Sequence, residues 1–123
     1  MAFYYARELY YAGQYEACRP AMMRFVAMEH AWPTEVGEAW RIMAAIDTYP
    51  ERWLWKAIAA DPLRREPYCD LARAYHAKGQ LLEARAVAAV ASSLTDDTRY
   101  VTDLSCWGEQ WDEFLHQLEG SPQ

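Results

Sequence analysis

The chain has 123 residues, of which 53% are hydrophobic and 15% aromatic, enough apolar material for one folded core. This composition excludes intrinsic disorder. Twelve basic and 18 acidic residues give a formal net charge of -6, so the chain has no general attraction for a phosphate backbone and nucleic acid is not an expected partner. Most of its cations are Arg, which favours specific, bidentate contacts with carboxylates.

Cysteine usage and hydropathy indicate a cytoplasmic protein. Cys18, Cys69 and Cys106 are few and far apart, which argues against a disulfide framework and for a reducing compartment. No apolar run approaches the length of about 18 residues that a membrane span needs, and the first residues do not resemble a signal peptide. We therefore expect no membrane association.

Helical periodicity dominates the chain. Between residues 71 and 91 apolar side chains recur at spacings of three and four, and runs of β-branched residues are rare. Gly79 separates two such runs and is a natural helix stop. This pattern predicts antiparallel helices over about 66–78 and 81–93, with Tyr75 buried between them, and an all-α fold for the whole chain.

An internal repeat supports this prediction. Residues 5–14 align without gaps on residues 71–80, with Ala, Arg, Gly and Gln coinciding at four positions. The middle of the chain provides a further helix pair: one helix opens at 38–45, and its partner covers 53–60, closed by Asp61-Pro62.

The repeat resembles the tetratricopeptide repeat family, whose units are about 34 residues long. The best match has Tyr68, Leu71, Ala72, Tyr75, Gly79 and Ala84 at the positions where that family places bulky, small, aromatic and turn residues. The resemblance implies one domain over 1–123, a right-handed superhelix of antiparallel helix pairs. Its expected parts are repeat 1 over about 1–31, a shortened repeat 2 over about 34–62, repeat 3 over about 65–95, and a terminal capping helix over about 105–119.

A narrower resemblance covers nearly the whole chain. Residues 3–16, the segment from Ala57 to Ala72 and the late segment 100–108 are similar to the helical repeat region that follows the catalytic domain in bacterial and phage family 2 glycosyltransferases. The likeness departs after Gly108, where that region usually continues into another helix pair. It implies that this chain is either a piece of such an enzyme or a free-standing relative.

Residues that could support catalysis are missing from the sequence. Enzymes of that family carry an Asp-x-Asp metal motif, whereas the nearest approach is the adjacent pair Asp96-Asp97, which we interpret as a solvated turn. Five scattered Gly form no phosphate loop, and no nucleophile lies in a recognisable motif. His30, His76 and His116 lack metal-ligand spacing. We expect no enzyme activity, no cofactor and no metal.

A binding surface is the remaining hypothesis. In a tetratricopeptide array the first helix of each unit lines the concave face, and the alignment places Arg and Tyr side chains there, with Ala45 and Cys69 beside them. This row could bind the carboxylates of a partner segment. Alternatively, Arg7 and Arg73 pair with Glu8, Glu38 or Glu66 and hold repeats in register. The predicted groove residues are Arg7, Tyr10, Tyr11, Arg41, Arg73 and His76.

The tryptophans leave two interpretations open. Trp53 and Trp55 cannot share one helical face, so one should lie in the core and the other should be exposed or covered by a partner. Trp107 and Trp111 share a face of the terminal helix. That helix either caps the last repeat or presents a hydrophobic contact patch to a partner.

Three functions fit these observations. The first is a protein-interaction module that binds a protein or peptide. The second is an acceptor-recruiting element for a glycan or glycosylated peptide, with Tyr10 and Tyr11 stacking on sugars. The third is an oligomerisation module, in which the Trp-bearing terminal helix pairs two copies of the chain.

Overall fold

The computed structural model describes residues 2–95 and 103–121, and within these ranges the chain is helical without a strand. The predicted turn at Asp96-Asp97 lies outside the described residues. The helices are α1 (Ala2–Tyr11), α2 (Tyr15–Val26), α3 (Pro33–Ala45), α4 (Glu51–Ala60), α5 (Arg65–Ala77), α6 (Leu81–Ser93) and α7 (Gly108–Gly120), with a 3-10 turn at Leu104–Cys106 before α7.

The chain divides into two compact units, residues 1–62 and 63–123. Unit 1 contains the hairpins α1–α2 and α3–α4, and α3 also packs on α1 and α2. Unit 2 contains the hairpin α5–α6, on which α7 and the 3-10 turn pack.

The two hairpins that the repeat aligns have the same internal geometry. Gly13 and Gly79 both adopt a φ of +75°, a left-handed conformation that costs glycine little. In each turn the following Gln donates its backbone N–H over 2.9 Å to a helix carbonyl, Gln14 to Leu9 and Gln80 to Tyr75. The shared glycine chemistry therefore produces the same helix C-terminus and reversal in both units.

The α3–α4 connection is built differently, because no glycine is available there. Asp47 accepts the backbone N–H of Tyr49 at 3.2 Å and a guanidinium N–H of Arg52 at 3.1 Å, and it also accepts the Trp53 indole N–H. One carboxylate thus turns the chain into α4, whose ten residues make it shorter than α2 and α6.

Small residues let the helices of unit 2 approach closely. Ala72, Ala84 and Ala91 are fully buried where α5 meets α6. Trp111, Phe114 and Leu118 supply the bulky side chains of the same core from one face of α7. The opposite face of α7 is polar and exposed, so this helix covers one side of the unit 2 core, and its role as the cap of a repeat array stays a prediction.

The all-α prediction is confirmed, and the helices predicted at 66–78 and 81–93 lie at Arg65–Ala77 and Leu81–Ser93. One burial prediction needs correction: Tyr75 is half-buried against the core of unit 2, because it lies at the edge of the α5–α6 contact. The arrangement of the helix pairs as one tetratricopeptide-like domain with a right-handed superhelix stays a prediction.

Candidate functional site

A cleft of about 570 Å³ opens in unit 2 between α5, the 3-10 turn and α7. Polar side chains dominate its wall, and one aromatic ring contributes an apolar surface. Helical spacing explains why these side chains line one cleft, since residues three, four and seven apart lie on one face of a helix. The lining residues are Asp70, Arg73, His76, Ser105, Gln110, Glu113, Phe114 and Gln117.

Arg73 is the cation of this cleft, and the surrounding structure holds its guanidinium in place. Its Nη2 donates to the backbone carbonyl of Ser105, and its Nη1 lies 3.8 Å from Cys106 Sγ. The guanidinium carbon also lies 5.3 Å from the Trp111 ring centre and 5.4 Å from that of Phe114. In the part of the chain that the structure describes, Arg73 forms no ion pair with a carboxylate.

A buried arginine secures the wall of the cleft from behind. Arg65 is 8% exposed, and it donates to the carbonyl oxygens of Ala91 at 2.8 Å, Cys106 at 3.0 Å and Ser92 at 3.3 Å. Its guanidinium carbon lies 4.1 Å from the Trp107 ring centre. Arg65 thereby gives the last carbonyls of α6 a charged donor and connects the end of that helix to the 3-10 turn.

Glu66 secures the other side of the same turn. Its carboxylate is almost fully buried and accepts the backbone N–H of Asp103 at 3.0 Å and the Trp107 indole N–H at 2.9 Å. Arg64 Nε lies 3.7 Å away and completes a buried ion pair. These contacts fix the segment that presents Ser105 to Arg73.

His76 marks the far end of the cleft. Its Nε2 lies 3.0 Å from Ser121 Oγ, which itself donates to the carbonyl of Gln117 at 2.8 Å. A serine hydroxyl has one proton, so both bonds form together when His76 Nε2 is the donor of the first. The ring also meets Phe114 edge-on at 5.5 Å.

The remaining predicted groove residues belong to unit 1. Arg7 lies over aromatic rings of its own helix, 4.7 Å from the centre of Tyr4 and 5.8 Å from that of Tyr11, and its Nε is buried without a hydrogen-bond partner. Tyr10 packs partly into the core, and burial raises the pKa of its phenol. Arg41 pairs with Glu38 at 2.9 Å.

The contacts of the described residues do not support the register hypothesis for Arg7 and Arg73, and the Arg41–Glu38 pair lies within α3 alone. Neither Arg7 nor Arg73 forms an ion pair with Glu8, Glu38 or Glu66. Cys69, which we expected beside the groove, is fully buried with its Sγ 3.7 Å from the carbonyl of Cys106. Burial raises the pKa of the Cys69 thiol, as expected for a core side chain rather than a groove contact.

The expected hydrophobic contact patch at Trp107 and Trp111 is also corrected. Trp111 is 2% exposed, stacks on Phe114 at 5.1 Å and donates its indole N–H to Ser92 Oγ at 3.0 Å. Trp107 is half-buried under the Arg65 guanidinium. Both rings serve the packing of the terminal helix, which removes the basis for pairing two copies through them.

The other tryptophan pair follows the sequence prediction. Trp53 packs against the core of unit 1 and stacks on Trp40 at 5.5 Å, whereas Trp55 is 49% exposed. Two residues apart on a helix, the rings lie on different faces.

Two kinds of feature are absent from the described ranges. Residues 2–95 and 103–121 hold no group of three or more His, Cys, Asp or Glu side chains that could bind a metal ion. In the same ranges no helix combines the length and hydropathy that crossing a bilayer requires.

Most of the cleft lining was not predicted from the sequence. Arg73 and His76 were identified through the repeat, whereas Ser105, Gln110 and Glu113 were not. The spacing of Gln110, Glu113, Phe114 and Gln117 along one helix is the signal that could have shown a shared face. That face becomes a cleft wall only through packing against α5.

Comparisons of the chain with protein-family models, with curated proteins and with solved structures find no match.

Proposed function

We propose that this chain is a non-catalytic binding module, and that the cleft in unit 2 binds a carboxylate-bearing segment of a protein partner. The observation that carries the proposal is Arg73, a guanidinium that lines the cleft without an ion-pair partner in the described ranges. Asp70, His76 and the amides around it provide further polar contacts.

Arg73 suits this role because it is held in position before any ligand arrives. Its contacts with Ser105, Cys106, Trp111 and Phe114 restrain the side chain, so little conformational entropy is lost on binding. The planar guanidinium has five N–H donors and matches the two oxygens of a carboxylate. Partial burial beside two rings strengthens such a bond relative to one in water.

The size of the cleft fits a small part of a partner. About 570 Å³ lies within the range of roughly 300–1,000 Å³ typical of ligand pockets, which accommodates a few residues rather than a whole interface. A partner would therefore be recognised through a short segment.

The resemblance to tetratricopeptide arrays supports a binding role, as does the reproduced hairpin geometry at Gly13 and Gly79. A relationship to the accessory region of family 2 glycosyltransferases remains part of this proposal. It places any sugar transfer in a separate catalytic domain, since this chain lacks an Asp-x-Asp motif.

A second candidate function has one observation in its favour. Tyr11 is 68% exposed, and the centre of the Tyr10 ring lies 5.5 Å from that of Tyr11 and 5.8 Å from that of Tyr15. Exposed aromatic faces can stack on sugar rings, as required of a glycan-recruiting element. Loss of oligosaccharide binding in Tyr11→Ala, with binding retained in Tyr5→Ala, would support this alternative.

The main proposal is tested by calorimetric titration of the whole chain with a short unstructured peptide containing Asp, and with its Asn counterpart. Arg73→Gln should weaken binding of the Asp peptide about tenfold or more, since a charge-assisted bond contributes about 1.5–3 kcal/mol. Arg24→Gln, an exposed arginine of unit 1, gives the same change in net charge and should leave binding unchanged.

A second variant keeps the test decisive should Arg73→Gln unfold unit 2. Gln110→Glu adds a carboxylate to the cleft wall, and Ala86→Glu adds one to an exposed position of α6 away from the cleft. Weaker binding in Gln110→Glu alone is expected. Equal binding of the Asp peptide by both variants, or of the Asp and Asn peptides by the wild type, would refute carboxylate recognition in this cleft.

A further inference from the structure

We infer that the cleft in unit 2 selects a dipolar peptide segment, with an acidic side chain bound by Arg73 and a neighbouring Lys or Arg of the ligand bound by Glu113. The inference rests on the proposed function and adds the chemical class of the bound segment.

The first argument is an open pair of opposite charges. Arg73 on α5 and Glu113 on α7 line the same cleft, yet they do not form an ion pair with each other. The Arg73 guanidinium is instead directed to the Ser105 carbonyl and to the faces of Trp111 and Phe114. A space bounded by a cation and an anion that do not meet is complementary to a ligand that carries both signs.

The second argument ranks ligands of one sign below dipolar ligands. A segment with carboxylates alone would satisfy Arg73 but would be repelled by Glu113 and by Asp70, which lies one turn before Arg73. A purely basic segment would face Arg73 unfavourably. At longer range the net charge of -6 repels anionic ligands, whereas a dipolar segment without net charge avoids this repulsion.

The third argument identifies the ligand as a peptide rather than a small ion. Gln110 and Gln117 flank Glu113 on the same face of α7, and each amide can donate to and accept from a peptide backbone. Seven residues of helix separate them, a rise of about 10 Å. An extended chain covers that distance in about three residues, enough for one acidic and one basic side chain.

The experiment compares two peptides of the same length on the full chain by calorimetry. The dipolar peptide carries Asp next to Lys, and the acidic peptide has Gln in place of the Lys. The wild type should bind the dipolar peptide about fivefold more tightly, as expected of one additional partly exposed charge pair. Glu113→Gln should abolish that preference, while Asp112→Asn, a neighbouring carboxylate outside the cleft, should retain it.

A charge exchange provides an independent readout. Glu113→Lys should prefer a peptide with Asp next to Glu over the Asp–Lys peptide, because the new cation needs an anion. Helical content should match the wild type, since Glu113 is exposed.

The outcomes separate this inference from the proposed function. If both peptides bind the wild type equally through Arg73, or if Glu113→Gln strengthens both to the same degree, the dipolar inference is wrong and carboxylate binding stands. If neither peptide binds, both fail.

Discussion

Arg65 shows how one side chain secures the architecture around the cleft. It donates to the carbonyls of Ala91, Ser92 and Cys106, which belong to the end of α6 and to the 3-10 turn. The flat face of the Arg65 guanidinium also covers the Trp107 ring. Arg65 thus fixes the 3-10 turn whose Ser105 carbonyl restrains Arg73.

Replacing Arg65 should therefore destabilise unit 2. Arg65→Gln is expected to lower the free energy of unfolding by about 3 kcal/mol, because buried carbonyls lose a charged donor. Urea unfolding followed by circular dichroism measures the change. Arg24→Gln is the matched control and should alter stability by less than about 0.5 kcal/mol. A similarly small effect of Arg65→Gln would contradict the role assigned to Arg65.

Because of Asp47, the stability of unit 1 should change with pH in the acidic range. The Trp53 indole N–H, followed by the Tyr49 backbone N–H, holds the pKa of this carboxyl at about 2, below its ordinary value of 3.8. A depressed pKa stabilises the folded state above the ordinary value, and the stabilisation is lost as pH falls from about 4 towards 2.

This pH dependence is measurable as a difference between variants. The thermal midpoint of the wild type should exceed that of Asp47→Asn at neutral pH, and the gap should narrow between pH 4 and pH 2, the window set by the two pKa values. A gap that stays constant down to pH 2 would show that Asp47 is not held ionised by its neighbours.

At the scale of elements, glycine turns and the buried Trp111 side chain determine how the helices pack. Gly79, with a φ of +75°, lies in the turn that follows α5. Trp111 holds α7 against α6 through its indole N–H bond to Ser92 Oγ, and against α5 through its contact with the Arg73 guanidinium. The cleft depends on both, since it is bounded by α5 on one side and α7 on the other.

Gly79→Ala should cost about 1 kcal/mol, because a side chain is strained at this φ although the space around the position is open. Gly120→Ala, where the backbone is not left-handed, should cost little or gain slightly. Chemical denaturation measures the stability of both variants. Because both positions have open space around them, a loss in Gly79→Ala alone reports backbone strain and not crowding. Equal stabilities of the two variants would contradict the assigned strain.

Trp111→Ala should lower the free energy of unfolding by about 3–5 kcal/mol, because the ring is almost fully buried and stacked. Tyr5→Ala removes an aromatic ring that is 60% exposed and should have little effect. Thermal and urea unfolding provide the comparison. A small decrease in the free energy of unfolding of Trp111→Ala would show that this ring is not part of the core, and would support the hypothesis that Trp107 and Trp111 form a contact patch.

The sequence predicted the positions of helices better than it predicted side-chain contacts, because helices depend on residues that are close in sequence and these contacts join residues that are far apart in sequence. Helix periodicity and Gly79 are local signals, which is why α5 and α6 were located within one residue of their observed bounds. Arg65 was not singled out, and Glu66 was considered only as a partner of Arg7 or Arg73. The hydrogen-bond partners that these two residues have in the structure lie 26 to 41 residues away and are brought close only by packing.

The start of α3 illustrates a missed local signal. The prediction opened that helix at Glu38, whereas it begins at Pro33, a residue whose fixed φ suits the first helical position. For the cleft, the repeat identified the α5 wall at Arg73 and His76. The α7 wall was missed because the Trp spacing drew attention to the buried face of that helix rather than to Gln110 and Glu113.

At the scale of the whole molecule, two helical units provide surfaces of different character. Unit 1 presents aromatic rings around Arg7, and unit 2 presents the polar cleft around Arg73. The aligned arginines thus occupy equivalent repeat positions but different surroundings. Binding of a carboxylate is expected in unit 2, where a cleft accompanies the cation.

The proposed absence of catalysis is tested on the same purified chain. Incubation with nucleotide sugars and a divalent metal should give neither transfer nor hydrolysis, since the sequence has no Asp-x-Asp motif and no phosphate loop. Saturable, metal-dependent binding of a nucleotide sugar in calorimetry would contradict a purely binding role.

The most direct test of the central claim is a titration of the isotopically labelled whole chain with the Asp peptide, followed through backbone amide shifts. The account predicts saturable shifts confined to α5 around Arg73 and His76 and to residues 105–117. The Asn peptide should produce none of them. Shifts that instead cluster on α1 around Arg7 and Tyr11, or that spread over exposed positions without saturation, would contradict a carboxylate-binding cleft in unit 2.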